Sequence, residues 1–248
     1  MSAIWVFCDL DDTLLQTEAK CGNGGPLREA AYDRNGQALS YHTPQQWQLL
    51  QLLAPSRLIP VTGRTSEALN RVRSPVFSDW RITSHGAVLC DAQGQVSSEW
   101  LAHIAEERLQ WEGFLQRTLQ RALSYIADHH LIIRGRILED GGLPVYLSFK
   151  GQESDLAHLA QQLSADWQAL GGTVHRNGHN MALLPPYATK SRAVQFLLQL
   201  LSRDQTPPLV LGLGDSISDL PFMQLCDFAV IPRHSQIQRE LWSSTGGG

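Results

Sequence analysis

The sequence predicts an α/β fold: a Rossmann-like core with a parallel sheet, interrupted by an inserted α+β segment. Three observations predict it. The run Ile4-Trp-Val-Phe-Cys8 is apolar, carries β-branched and aromatic members, and stops at Asp9-Leu-Asp-Asp-Thr13; it reads as a strand buried on both faces. Strands and helical patterns alternate at both ends of the chain, the rhythm of βαβ units. The stretch from Thr62 to Lys190 is far longer than one strand-to-helix connection needs, which places the insertion there.

After the first strand, Asn35-Gly36 sits between short flanks and predicts a hairpin inside the irregular segment Gln16 to Thr43. That hairpin is either a flap over a site or surface decoration. Pro44 to Ala54 puts Trp47, Leu50 and Leu53 on one helical face, and Leu58 to Val61 is a strand ending at Thr62-Gly-Arg-Thr65. A helix over Thr65 to Val72, capped by Thr65 or Ser66, precedes a third strand, Arg81 to Ser84, and a hairpin at Ala92-Gln-Gly94. The middle of the chain differs. Trp100 to Ala127 is a long amphipathic helix with Trp111, Phe114 or Leu115, Leu119, Leu123 and Ile126 on one face. Strands at 131–133, 145–149 and 181–184, and a helix from Asp155 to Leu170 ended by Gly171-Gly172, suggest an antiparallel sheet. The α/β rhythm then returns. Lys190 to Leu201 is helical with Val194, Leu197, Leu198 and Leu201 inward, and strands follow at 209–213 and 228–231. The tail from Ser243 is expected to be disordered.

At 248 residues, 43% apolar and 18% charged, the chain has an ordinary globular balance. The net charge of −4 offers no electrostatic footprint for nucleic acid or an anionic membrane, so neither partner is expected. No apolar run reaches spanning length and no signal peptide is read. The four cysteines show no C-x-x-C pairing and no zinc framework. These readings predict a cytoplasmic protein, monomer or homodimer. Lysine is scarce, with only Lys20, Lys150 and Lys190, so a lysine beside chemistry carries extra weight.

Four elements carry that chemistry: Asp9-x-Asp11-x-Thr13 at a strand end, Thr62 after a strand, Lys190 opening a helix, and Gly214-Asp215 with Asp219. Acids two residues apart repel unless a cation lies between them, which is the chemistry of a magnesium site. In this order the elements resemble the haloacid-dehalogenase (HAD) superfamily of aspartate-nucleophile phosphotransferases. The resemblance implies Asp9 as nucleophile and Asp11 as acid and base toward the leaving alcohol and water. It implies that the Thr62 hydroxyl and the Gly63 amide hold phosphoryl oxygens, with Lys190 supplying positive charge. Asp9, the backbone carbonyl of Asp11 and Asp215 would bind Mg2+, with Asp219 supporting them. Asp12 is read as a turn residue, and Ser216 and Ser218 stand where many relatives have glycine and asparagine. The two histidines His175 and His179 read as structural rather than as a metal pair.

An insertion between the second and third motifs resembles a cap of the C2B subclass. Expected boundaries are 1–86 and 185–248 for the core and 87–184 for the cap. That subclass includes sucrose-phosphate, trehalose-phosphate and mannosyl-phosphoglycerate phosphatases and the Cof-type sugar phosphatases, and Val61-Thr-Gly-Arg-Thr65, Ser84-His-Gly-Ala87 and Gly214-Asp-Ser-Ile-Ser-Asp-Leu-Pro-Phe-Met223 resemble its sucrose- and trehalose-phosphatase branch. His85 replaces the asparagine common in the Cof-type group. Contacts to substrate are expected from Thr13, Gly63, Arg64, Arg134 and Asn180, with Arg136, Lys150, His175 and Arg176 as further polar candidates of the cap. The resulting expectation is a Mg2+-dependent phosphatase acting on a small phosphorylated molecule, a sugar phosphate. A phosphomutase with the same intermediate and a phospho-ligand-binding regulator with a slow site are the alternatives.

Overall fold

The structure, a computed structural model, describes residues 4–22, 25–202 and 208–245, with the side chains of 242–245 excluded. In chain order the elements are β1 (Ile4–Cys8), β2 (Arg28–Tyr32), β3 (Ala38–His42), α1 (Pro44–Leu52), β4 (Arg57–Pro60), α2 (Ser66–Leu69), β5 (Arg81–Thr83) and β6 (Val88–Cys90). Next come α3 (Ser98–Asp128), β7 (Ile133–Asp140), β8 (Leu143–Gly151), α4 (Glu153–Ala169), β9 (Thr173–Asn177) and β10 (Asn180–Leu184). The chain closes with α5 (Lys190–Leu201), β11 (Leu209–Leu213), α6 (Leu220–Met223), β12 (Phe228–Val230) and α7 (Gln236–Thr245). They form two compact units, Met1–Val96 with Lys190–Gly248, and Ser97–Thr189. β5 and β6 pair with each other and both lie in the first unit.

The first unit is built on a parallel sheet ordered β12-β11-β1-β4. From β1 the chain runs to β4 on one side and later returns to β11 on the other. The carboxyl ends of β1 and β11 therefore flank the point where strand order reverses, where open α/β sheets bind their ligands. Strand alternation sends Val6 and Cys8 into a cluster with Leu14, Leu15, Ala30, Ala31, Leu50 and Leu69, all buried. Trp5 and Phe7 point the other way and are also buried. Fully burying side chains of this kind contributes roughly 1.5–3 kcal/mol each. The Asn35-Gly36 hairpin forms as β2 and β3, and Asp33 stabilises its turn by accepting from the amides of Asn35 and Gln37. Gln16 and Tyr41 exchange backbone hydrogen bonds of 2.9 and 2.8 Å, and Ala31 bridges to Val72, so the hairpin is stitched to the core rather than appended to it. Thr43 and Gln46 close a capping box at the start of α1.

Several local expectations change. The third strand, β5, pairs antiparallel with β6, and a single parallel bridge, Val61 to Ile82, with the Thr62 amide donating to the Ile82 carbonyl, sets it beside the chain that follows β4. The helix expected over Thr65 to Val72 is the single turn α2, capped by the Thr65 side chain. Leu198 and Leu201 are half-buried, and Ala193 takes an inward place on α5. α7 stays helical to Thr245 where disorder was expected from Ser243; residues 246–248 lie outside the described ones, as do Asn23 and Gly24 of the glycine-rich segment.

The second unit sets α3 and α4 against an antiparallel sheet ordered β7-β8-β10-β9. Ala122, not Leu123, joins Trp111, Leu115 and Ile126 on the buried face of α3, and Leu123 is exposed. The strand expected at Leu131 to Ile133 begins at Ile133 and runs eight residues, turning through Gly141 and Gly142 at positive φ into β8. β9 carries few large apolar residues and leaves no clear period in the sequence. A Cβ on Gly135 would stand 2.6 Å from Phe149 and 3.4 Å from Leu119 of α3, so the helices cover the Gly135–Phe149 face. Arg134, Lys150, Asn180 and Asn177 pair across the sheet in one row, and all four are exposed. Among the described residues no helix is long and apolar enough to cross a membrane.

Candidate active site

The end of β1 delivers Asp9, whose amide donates to the Leu213 carbonyl of β11 at 2.9 Å and so fixes the turn beyond the strand. Asp9 is buried, and its Oδ1 accepts a 2.6 Å hydrogen bond from Lys190 Nζ at the first residue of α5. The same ammonium donates to Asp219 Oδ1 at 2.7 Å. Asp219 Oδ2 accepts from the amides of Asp215 and Ser216 and from the Ser216 hydroxyl, at 3.2, 3.0 and 2.8 Å. Asp219 can stand this close only because residue 214 is glycine. A Cβ there would lie 2.5 Å from Asp219 Cβ and 2.8 Å from Met223 Sδ. Thr13 places its hydroxyl between Asp215 Oδ1 at 3.2 Å and Asp9 Oδ2 at 3.4 Å. One hydroxyl hydrogen serves one carboxylate at a time.

The electrostatics follow from burial. Burial raises Asp9 above the usual carboxylate range; the nearby Lys190 charge opposes this and the Asp219 charge reinforces it. For Lys190, burial alone would lower the ammonium, but Asp9 and Asp219 outweigh it and push it up. Burial, then the charges of Asp219 and Asp12, raise Asp215 to about 6. One oxygen from each of Asp9, Asp215 and Asp219 lies within 4.8 Å of the others. Carboxylate oxygens from two buried residues, Asp9 and Asp219, and one partly exposed residue, Asp215, gathered this closely are a fit for a divalent cation of the Mg2+ kind.

Asp11 goes elsewhere. Its carboxylate is half-exposed, lies outside that oxygen cluster, and accepts from Arg64 Nε at 2.8 Å and Nη2 at 2.6 Å. Its expected tie to a metal therefore rests on the backbone carbonyl alone. Arg64 is placed by the turn after β4, where its amide donates to Thr62 Oγ1 at 3.1 Å. Thr62 is buried, and its amide donates to Ile82 of β5. Asp12 has a left-handed backbone, as a turn residue should, and its carboxylate pairs with Lys20. Arg134 and Asn180 belong to the second unit and sit in the exposed row described above. Ser216 was legible only as a departure from the family pattern; its role as a cap on Asp219 follows from the contacts.

A parallel sheet with acids at the ends of its two switch-point strands, and an α+β unit inserted between β6 and α5, gives the chain a fold similar to that of solved haloacid dehalogenase-like hydrolases. No family model and no curated protein matches the chain. Solved structures do. The sucrose-phosphatase of Synechocystis sp. PCC6803, determined with sucrose and phosphate, matches with a TM-score of 0.54 at 19% identity, over 100% of this chain and 90% of that one. The C-terminal domain of the Candida albicans (C. albicans) trehalose-6-phosphate phosphatase matches at 0.58 and 12% identity, over 100% and 78%. A haloacid dehalogenase-like hydrolase from B. subtilis matches at 0.52 and 12% identity, over 98% and 99%. At these identities the likeness is one of fold.

Proposed function

We propose that the chain is a Mg2+-dependent phosphatase that hydrolyses a small phosphomonoester, a sugar phosphate, through an aspartyl-phosphate formed on Asp9. The observation that carries this reading is the Lys190 ammonium held between Asp9 and Asp219, with Asp215 completing a cluster of oxygen donors. The two phosphatases of phosphorylated disaccharides among the similar structures support the substrate class.

In this reading Asp9 Oδ1 is fixed by Lys190, which leaves Oδ2, bonded only weakly to Thr13, as the attacking oxygen. The Thr62 hydroxyl and the Gly63 amide receive the phosphoryl oxygens, and the Lys190 charge offsets what develops on them. Asp11, aligned by Arg64, gives a proton to the departing alkoxide and takes one from the water that then releases Asp9. Asp9 and Asp215, with the Asp11 carbonyl, would hold Mg2+, which lets an anionic phosphoester approach two carboxylates. Asp219 acts on Lys190 and on the turn at 215–216 rather than on the metal, because both its oxygens are already engaged. We assign the second unit, Ser97–Thr189, as the cap, and to its row of Arg134, Lys150 and Asn180 the recognition of the leaving group.

The test is phosphate release from a panel of phosphorylated sugars and related metabolites. Wild-type protein with Mg2+ is expected to hydrolyse a subset, and Asp9→Asn or chelation to abolish that turnover. Turnover that survives both changes overturns the reading.

A further inference from the structure

The turn Ser84-His85-Gly86 is the most strained stretch near the site. Its three residues all have left-handed backbones, with φ of 50°, 58° and 101°. Two consecutive non-glycine residues there are uncommon, and such outliers collect where a site demands them. Two bonds hold the turn against the loop after β4: the His85 amide donates to the Thr62 carbonyl at 3.0 Å and the Ser84 amide to the Arg64 carbonyl at 2.8 Å. The turn also packs on α5, the helix that begins with Lys190. It thus lies against both the Thr62-Gly63 turn and α5.

The imidazole faces the same place. A Cβ on Gly63 would lie 2.5 Å from His85 Cε1, 2.6 Å from Nε2 and 3.2 Å from Nδ1, so the nitrogen-bearing edge of the ring rests on Gly63. The ring is partly exposed. Residue 63 must be glycine because the histidine occupies the space a side chain would need.

We propose that His85 is a further phosphoryl-binding residue, donating a hydrogen bond from its imidazole edge to an oxygen of the phosphate held by Thr62 and Gly63. This rests on the phosphatase reading above and adds a side chain to it. The strained backbone is the means of aiming the ring. Asparagine tolerates the same backbone and keeps a donor, whereas glycine relieves the strain and removes it.

The test compares His85→Gly and His85→Asn with wild type for binding of inorganic phosphate, by calorimetry in the presence of Mg2+, and for thermal stability. His85→Gly is expected to bind phosphate roughly tenfold more weakly, the loss of one hydrogen bond to a charged group, with its melting temperature unchanged or raised. His85→Asn is expected to recover part of the affinity. Phosphate affinity of His85→Gly within about twofold of wild type overturns the assignment, as does a loss matched by a fall in melting temperature. Wild-type protein that hydrolyses no phosphoester would instead overturn the phosphatase reading, and this assignment with it.

Discussion

Lys190 Nζ stands 2.6 Å from Asp9 Oδ1, with 9% of each side chain exposed. The two residues come from opposite ends of the chain, one ending β1 and the other opening α5. A buried ammonium between Asp9 and Asp219 is what permits both carboxylates to remain inside the protein.

Removing that ammonium is expected to be costly. Lys190→Met leaves two buried carboxylates facing each other and should lower stability by about 3–5 kcal/mol. Thermal unfolding measures it, and added Mg2+ should restore part of the loss.

Asp215 behaves in the opposite sense. Its folded pKa, about 6, lies above the value of 3.8 it has when unperturbed, so its contribution to stability is present in acid and lost as pH rises through about 6. Asp215→Asn should therefore raise the melting temperature of metal-free protein at neutral pH. The same change should remove the stabilisation that wild type gains from Mg2+.

Arg64 grips Asp11 with two nitrogens, but Asp11 is 54% exposed, so the pair contributes at most about 1 kcal/mol to stability. Arg64→Lys should leave the melting temperature nearly unchanged. A single ammonium cannot hold both oxygens, so kcat/KM should fall roughly tenfold.

His42 ties the hairpin to the loop after Asp9: its Nδ1 lies 2.8 Å from the Leu14 carbonyl and its Nε2 3.0 Å from Ser74 Oγ. Burial lowers its pKa below 6.5, so the folded ring stays neutral where the unfolded one takes up a proton. Its contribution is full above that pH and is lost as pH falls below it. The melting-temperature gap between wild type and His42→Gln should narrow as pH falls from about 7.5 to about 5.5.

Much of this was legible in the residues. An apolar run ending in acids located β1 and Asp9, and the long interval before Lys190 located the inserted unit. Glycine turns signalled its hairpins. What was not legible depends on contacts between distant segments. Nothing near Asp11 says that Arg64 will take its side chain away from the acid cluster. Nothing near Thr13 says that Asp215, far along the chain, will share its hydroxyl with Asp9. β5 is only three residues long, Arg81-Ile-Thr83, and its antiparallel pairing with β6 leaves no signal in the sequence. Leu123 and Ala122 are neighbours on one helix, and the sequence does not say which of them turns inward; the structure buries Ala122 and exposes Leu123.

The central claim is that phosphate passes through Asp9. Wild-type protein quenched during turnover of a hydrolysed phosphomonoester, reduced with borohydride and mapped by mass spectrometry should show reduction at Asp9, and Asp9→Asn should show none. Steady turnover with no modification at Asp9, or with the mark on another residue, would contradict the account.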